Sequence, residues 1–459
     1  MKDCLRSALG KANADYCEIR FEESEILTIR FQGKDLDRVN YDTVYGGSVR
    51  ALSRGAWGFA SFNDPAELGQ ALQAACEQAR FAGERKSGES KLAAVPVVDA
   101  EFIPEFTLDP RGVSLDEKLR ILTHYQQLIL GHHPEIVSAT IYYREQVSDV
   151  HFVNTEGSYT HQVKLDIGSS LVPTARREDL TITQYVGRGS SLGFDCMLNA
   201  DADILAACKR AVELLDAPQV KAGVYTTICD PELAGLFVHE AFGHLSEADN
   251  VYKNPDLAKA MTLGRRLGQE NLTIFDSGEF FANRGAIKFD DEGVTAERTY
   301  LIKDGILVGR LHSRETAGIM GEQPTGSARA VDYAYPPICR MRNTCIAPGE
   351  DSLEEMIKNT ELGIFACGVG GGGETNGEMF NFNAGYGYMI RGGKLAELVR
   401  DVSLTGNVFN TLQNIDLIGS ELQAPDSAGG CGKSGQGPLP TSNICPHIRI
   451  QNVIIGGAK

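Results

Sequence analysis

The sequence predicts an α+β protein in two parts: an amino-terminal domain of mixed sheet and helix over residues 1–217, then a carboxy-terminal domain over residues 218–459 dominated by antiparallel β-sheet and carrying one histidine-bearing helix. Three observations lead there. Residues up to 217 alternate strand-like runs with amphipathic helical runs. The segment Asp216-Ala217-Pro218-Gln219-Val220-Lys221-Ala222-Gly223 interrupts that alternation. Beyond it, short strands, hairpin turns and glycine outnumber helical stretches.

Taken in order, Tyr16–Phe21, Ile26–Phe31 and Ser48–Leu52 read as strands, the last leading through Gly55 to a further strand at Trp57–Ala60. Pro65 to Phe81 reads as a helix, with Asp64 as its N-cap and proline at the first helical position. Ser114 to Leu130 is a second helix, and Ser114-Leu115-Asp116-Glu117 has the spacing of a capping box. Strands fill Ile136 to Val186, and Ala202 to Leu215 is a third helix. After the boundary come a strand at Val224–Cys229 and the histidine-bearing helix. Asp304-Gly305, between Tyr300–Lys303 and Ile306–Val308, suits a type I′ hairpin turn. A second hairpin spans Tyr388–Leu395, and a short helix covers Ser352–Asn359.

Composition bounds the function. At 459 residues, 42% hydrophobic and 23% charged, the chain is an ordinary globular sequence. Its formal net charge of −17 argues against a sequence-independent grip on nucleic-acid phosphates, which needs a basic surface. No run approaches the ~18 consecutive apolar residues of a membrane span, and Met1-Lys2-Asp3-Cys4-Leu5-Arg6 lacks a signal-peptide core. The eleven cysteines show no C-x-x-C pair and several sit in apolar runs, so most are expected to be buried thiols in a cytoplasmic protein.

The chemistry concentrates in Leu236-Phe237-Val238-His239-Glu240-Ala241-Phe242-Gly243-His244-Leu245-Ser246-Glu247. Neutral imidazole is a common zinc ligand, and a glutamate beside a ligand histidine can take a proton from an activated water. The two histidines stand at i and i+5, not at the i and i+4 of the familiar zinc helix. On a straight α-helix five residues turn through about 500°, leaving the side chains roughly 140° apart. A π-bulge, with about 4.4 residues per turn, would return them to one side, and Gly243 is a suitable place for it. The alternative is a buried helix with two unrelated histidines.

Other motifs are weaker. Gly368-Val369-Gly370-Gly371-Gly372-Gly373 fits G-x-G-x-x-G, but no helix follows to receive a pyrophosphate, so a wall for close backbone approach is expected instead. Gly189-Ser190-Ser191-Leu192-Gly193 matches a nucleophile elbow without the helix that should follow. Asp290-Asp291-Glu292, before Gly293, reads as a solvated turn, with a cation or peptide amine as the alternative ligand.

The ordered series of motifs resembles the TldD/PmbA family, and specifically its TldD-type, metalloprotease-like subunit. The residues that carry the resemblance are His239-Glu240-Ala241-Phe242-Gly243-His244 with Glu247 and Asp249, then Asp290-Asp291-Glu292-Gly293. Pro336-Pro337, Arg340-Met341, Asn343-Thr344, the run Gly371–Phe380 and Gly430-Cys431-Gly432-Lys433-Ser434-Gly435-Gln436 follow, with weaker similarity at Gly47–Phe62. The sequence departs at Cys339, where the family has proline, and at Asn443-Ile444-Cys445, which replaces a glycine-rich close.

The resemblance implies a zinc-dependent peptidase acting on unfolded or partly degraded peptides. It implies that His239, His244 and Cys431 bind Zn²⁺, that a water activated by zinc is the nucleophile and that Glu240 is the general base. Spacing alone would leave Cys431 a buried thiol in a glycine-rich turn. Glu247 is expected either to orient an imidazole or to stand solvated at a helix end. The substrate is expected to lie extended along a strand edge near Gly370. Family members act in pairs, so a homodimer or a heterodimer with a paralogous PmbA-type subunit is expected, with no membrane and no direct nucleic acid. The rival is a non-catalytic, metal-stabilised peptide-binding subunit.

Overall fold

The computed structural model describes residues 1–85, 90–280, 282–371, 373–425 and 428–457. Its amino-terminal sheet has eight strands. They are β1 (Tyr16–Gln32), β2 (Asp35–Ser53), β3 (Ala56–Phe62), β4 (Asp99–Phe102), β5 (Ile136–Asn154), β6 (Tyr159–Arg177), β7 (Leu180–Thr183) and β8 (Val186–Ser190). The order is β3-β2-β1-β5-β6-β4, with β7 and β8 also against β6. All pairs are antiparallel except β4 with β6.

The two strands expected at Tyr16–Phe21 and Ile26–Phe31 are one strand, unbroken across Glu22–Glu25. Alternation explains why. Cys17, Ile19, Phe21, Leu27, Ile29 and Phe31 all point to one face, where they are buried. That face carries four helices: α1 (Lys2–Leu9), α2 (Leu68–Arg85), α3 (Leu115–Gly131) and α4 (Asp201–Asp216). α1 and α2 pack over Ile19, Phe21 and Val153, and α3 and α4 over Ile29, Tyr143 and Ile167. The side chains of Asp64 and Ser114 cap α2's leading turn and α3 as the sequence predicts. Glu117 turns to Arg120 instead of closing a reciprocal box.

The reverse face bears buried polar residues, among them Arg20, Glu22, Ser24 and Arg50. They bond to one another and, through Arg20 and Arg50, to the carboxy-terminal half. Glu22 pairs with Arg20 at 2.8 Å and Ser24 bonds Ser148 at 2.7 Å. The charge run Asp290-Asp291-Glu292 belongs to this seam and is buried, contrary to the solvated turn expected. Asp291 lies 3.6 Å from Arg20 and 3.3 Å from Lys164, while Glu292 pairs with Arg50 and accepts from the Arg314 N–H at 2.7 Å. Asp290 accepts backbone N–H groups of Glu292, Val294 and Ala328. Asp291 and Glu292 join the two halves, while Asp290 braces the turn that presents them.

The carboxy-terminal half begins with β9 (Gly223–Cys229), parallel to Leu362–Val369 and antiparallel to Ile448–Gly456. Ser403–Asn407 and Met379–Arg391 continue the sheet, and the pairing of Met379–Arg391 back onto Leu362–Val369 closes the ring. Leu362–Val369 is therefore paired on both sides, and the free edge near Gly370 lies on Glu374–Asn376. A second, five-stranded sheet includes Ile274–Ser277, Thr299–Lys303 and Asn343–Ile346. Its Asp304-Gly305 turn has φ of 50° and 77°, as a type I′ turn requires. Ser352 caps the expected short helix with a full capping box through Glu355. Four short helices of this half were not foreseen, Ala248–Lys253, Pro255–Ala260, Arg314–Met320 and Val408–Gln413, nor was α1 at the amino terminus. Of the eleven cysteines, Cys4 is exposed, Cys196 intermediate and the remainder buried. Among the described residues no helix is long and apolar enough to cross a membrane.

Candidate metal centre

The site is built on α5 (Pro231–Leu236), which follows β9 and runs without a break into a π-helical turn over Phe237–Gly243. Asp230 caps α5 by accepting from the Leu233 N–H, and its other oxygen accepts from the Gly368 N–H at 2.7 Å. The helix start is thereby tied to the glycine-rich wall. Phe237, Val238, Ala241 and Phe242 are buried in a core that also holds Phe382, Leu404, Ile274 and Ile346, so residues of both sheets grip this segment.

The distortion expected from the five-residue spacing is present. The His244 N–H donates to the carbonyl of His239. The imidazoles converge, with centroids 5.4 Å apart and planes at 88°. Gly243 leaves the room that Met341 fills: a Cβ there would lie 2.1 Å from Met341 Sδ.

Cys431 opens a small hairpin, Cys431–Lys433 with Gln436–Leu439, whose turn places Ser434 and Gly435 at positive φ. The buried guanidinium of Arg340 donates to the carbonyls of Cys431 at 2.5 Å and Gln436 at 3.2 Å, fixing both arms. Cys431 Sγ lies 3.4 Å from His244 Nε2, and one donor atom each of His239, His244 and Cys431 fall within 4.8 Å of one another. Glu240 stands beside them, Oε2 3.8 Å from His244 Nε2, with its side chain 32% exposed.

Outer contacts orient both rings from behind. His244 Nδ1 is 2.9 Å from Glu247 Oε2, and His239 Nδ1 is 3.2 Å from Asn443 Oδ1. Glu247 is fully buried, not solvated, and also contacts Lys433 Nζ at 3.1 Å. Lys433 bonds Asp249 at 2.6 Å and the Cys339 carbonyl at 2.9 Å. Of the two departures from the family pattern, Asn443 touches the site through an imidazole, while residue 339 meets Lys433 only through its backbone carbonyl, its thiol facing Ser313 and Thr316. Asn443 and Lys433 had no legible role in sequence, being 204 and 184 residues from the partners they bind.

The electrostatics suit a cation. Burial would raise the Cys431 thiol, but His239 and His244 overcome it and bring its pKa down to about 6. Burial works against a charged His244, yet Cys431 and Glu247 raise it to about 10. Burial would also raise Glu247, and His244 and Lys433 hold its carboxylate below the usual range. Two imidazoles and a readily ionised thiol are a borderline-soft donor set. Bond lengths near 2.0–2.1 Å to nitrogen and about 2.3 Å to sulfur imply donor separations of about 3.5 Å in a tetrahedron, so the Sγ to Nε2 distance fits.

Two cavities meet at this helix. One of about 210 Å³ is bounded by His239, Glu240, Asn443 and Glu232. The other, of about 640 Å³, opens between the two halves and is bounded by Arg188, Arg210, Asp230 and Glu232. Glu232, Val369 and Pro425 form their common wall.

Known proteins agree in sequence and shape. Family models described as PmbA/TldA metallopeptidase domain 1, central domain and C-terminal domain match residues 17–82, 108–217 and 222–457. A metalloprotease of Synechocystis is 43% identical over 460 residues, covering 100% of this chain and 98% of that protein. A zinc metalloprotease TldD homolog of Saccharolobus solfataricus is 31% identical, covering 74% of this chain and 76% of its own. The crystal structure of TldE from Thermococcus kodakarensis superposes with a TM-score of 0.78 at 18% identity, covering all of both chains. At that identity the likeness is one of fold.

Proposed function

This chain belongs to the PmbA/TldA metallopeptidase family and is a protease, and from that premise we propose that it is a zinc peptidase with His239, His244 and Cys431 as metal ligands and Glu240 as general base. The observation that carries this reading is the convergence of an ionisable thiol on two imidazoles beside a carboxylate that stays accessible. A metal held only for structure would need no such carboxylate facing a cavity.

Zinc, when bound, supplies a Lewis acid that acidifies water and draws charge from a peptide carbonyl. Glu240 receives the proton of the attacking water on Oε2 and delivers it to the leaving amine. Glu247 and Asn443 hold the two imidazoles in orientation, and Lys433 keeps Glu247 ionised inside the protein. Cys431 would ligate as the thiolate its surroundings already favour, and His244 must give up its proton before it can ligate.

The substrate is an extended, unfolded peptide. The cleft between the halves leads past Glu232 to Glu240, and Glu374–Asn376 offers a strand edge beside the π turn. A folded protein presents no free strand to such an edge. The working unit is at least a dimer, of identical subunits or with a PmbA-type paralogue, in the cytoplasm.

Metal analysis and digestion of an unfolded peptide test the reading with the wild type and Glu240→Ala. The variant should keep its zinc and lose cleavage by ~10²–10⁴-fold. Loss of zinc in proportion to activity would reassign Glu240 to ligation. Zinc-replete wild type that cuts no unfolded peptide, alone or with a paralogous partner, would leave a peptide-binding subunit.

A further inference from the structure

The helix-bearing face of the amino-terminal sheet has a gap in its cover. α1 and α2 cover Ile19, Phe21, Val153 and Tyr159, while α3 and α4 cover Leu27, Ile29, Tyr143 and Leu165. Between these patches lies a polar strip that belongs to neither core. Asp149 and His151 are two residues apart on β5 and therefore share a face, and His161 on β6 is directly opposite His151 in register. Glu23 on β1 is opposite Asp149, and Glu101 on β4 is opposite His161.

The geometry is convergent. Asp149 Oδ1 is 3.1 Å from His151 Nε2 and 3.0 Å from His161 Nε2. The two rings stack with centroids 4.2 Å apart and planes at 13°, so one ring must turn out of the stack for both Nε2 lone pairs to meet at a single ion. Donor atoms from all three residues lie within 4.8 Å of one another. His151 Nδ1 is engaged from behind, 2.9 Å from the Tyr159 hydroxyl, while His161 Nδ1 faces Glu101 Oε1 at 3.8 Å, beyond hydrogen-bond distance. His151 thus presents Nε2 inward with Nδ1 occupied, the arrangement that fixes ring orientation behind a metal-ligating histidine. The imidazole side chains are only 14% and 13% exposed, but that of Asp149 is 46% exposed, leaving a path for an ion and its waters.

We propose that Asp149, His151 and His161 form a second metal site, for a divalent transition metal of the zinc or nickel class. Two imidazoles and one carboxylate are a donor set that such ions accept, and bonds near 2.0–2.2 Å imply donor separations of about 3.3–3.5 Å, close to those present. Among the described residues the cluster includes no cysteine, so its donor set is harder than that of the Cys431 centre. It lies on the opposite face of the sheet from the seam with the carboxy-terminal half. A metal here ties β5 to β6 and stabilises the amino-terminal half by mass action.

Titration of the metal-free full-length chain with Zn²⁺ alone tests this by difference between wild type and variants. The wild type should bind one equivalent more than His151→Ala or His161→Ala, with peptide cleavage unchanged in both variants. Asp149→Asn keeps the side-chain shape and should weaken the extra equivalent at least tenfold while leaving the fold intact by circular dichroism. Cobalt bound at this site should lack a thiolate charge-transfer band, which the Cys431 centre should show. Thermal stability of the wild type should rise with the second equivalent, and that of His151→Ala should not. Equal stoichiometry in wild type and His151→Ala, or an extra equivalent that survives both histidine substitutions, would overturn the proposal.

Discussion

The backbone N–H of His244 donates to the carbonyl of His239, five residues back along the helix rather than four. One widened turn therefore converts a spacing that a straight helix would splay by roughly 140° into two imidazoles sharing one small volume. The widening is held from outside. Met341 fills the space a side chain at residue 243 would take, and Phe242 is buried in the same core.

That arrangement makes Gly243→Ala a sensitive probe. The new methyl would sit 2.1 Å from Met341 Sδ and 3.3 Å from the Val238 carbonyl, so Met341 or the π turn must move. Overpacking of this kind costs roughly 1–3 kcal/mol. Denaturant unfolding should show that loss together with reduced zinc affinity, and Gly243→Ala/Met341→Ala should recover part of the affinity. An unchanged affinity in the single variant would mean that the turn is not held by this contact.

Glu247 offers a test of the ring-orienting shell. Its buried carboxylate touches His244 Nδ1 and Lys433 Nζ together. Glu247→Gln keeps the volume but removes the charge, leaving Lys433 with Asp249 alone. Outer-shell changes typically cost 10–100-fold in metal affinity, and competition with a chelator should register a loss of about that size. Cleavage measured at saturating zinc should fall less than in Glu240→Ala.

The π turn was legible because the spacing of two histidines contradicts a straight helix, a local conflict that needs no knowledge of the remainder of the chain. Caps and hairpins were legible for the same reason: Asp64, Ser352 and Asp304-Gly305 act within four residues. Cys431 lies 187 residues from His244, and only the resemblance connected them. The polar stretch Glu22–Glu25 was misread as a break, and Asp290-Asp291-Glu292 as solvated. Both readings assumed that charge marks solvent, whereas here charges of opposite sign from two halves neutralise one another in a buried seam.

The seam should govern acid stability. Burial pushes the Asp291 carboxyl upward, but Arg20 and Lys164 outweigh it and hold its pKa below the ordinary value. A depressed carboxylate contributes stability above its unfolded pKa and loses it as pH falls through the folded one. Asp291→Asn removes one partner of buried charges, a change that costs roughly 3–5 kcal/mol. Chemical denaturation should show that deficit near neutral pH, and the gap to wild type should narrow steadily in strong acid. A pH-independent gap would assign the loss to packing.

Glu232 should behave in the opposite sense. Burial, and then the nearby Asp230, raise its carboxyl from 4.5 to about 7. The folded chain thus holds a proton that the unfolded chain has lost, so this group lowers stability as pH rises through that interval. Glu232→Gln should gain stability relative to wild type above about pH 7 and show little difference near pH 4, since both are then neutral. Because Glu232 stands where the wide cleft meets the site, the variant should also raise KM for peptides carrying a positive charge, with kcat little altered.

Assembly has a candidate edge. Over Asp35–Thr43, β2 pairs only with β1, and this whole segment is exposed, including Leu36, Val39 and Tyr41 at 47%, 39% and 61%. A long unpaired edge is a template for another strand, and monomeric proteins blunt such edges with charge, proline or a covering element. The turn end does carry Lys34, Asp35, Asp37 and Arg38, yet Val39–Thr43 has Asp42 as its sole charge. Light scattering at micromolar concentration should give at least a dimer, with a total buried area above about 1,000 Å² if the contact is specific. Val39→Lys/Tyr41→Lys should shift the population toward monomer without altering zinc content, since neither residue approaches α5. A variant that stays dimeric would move the interface elsewhere. If monomer forms and still digests unfolded peptides while sparing folded proteins, the selectivity resides in the cleft between the two halves of one chain, and enclosure by a partner is unnecessary.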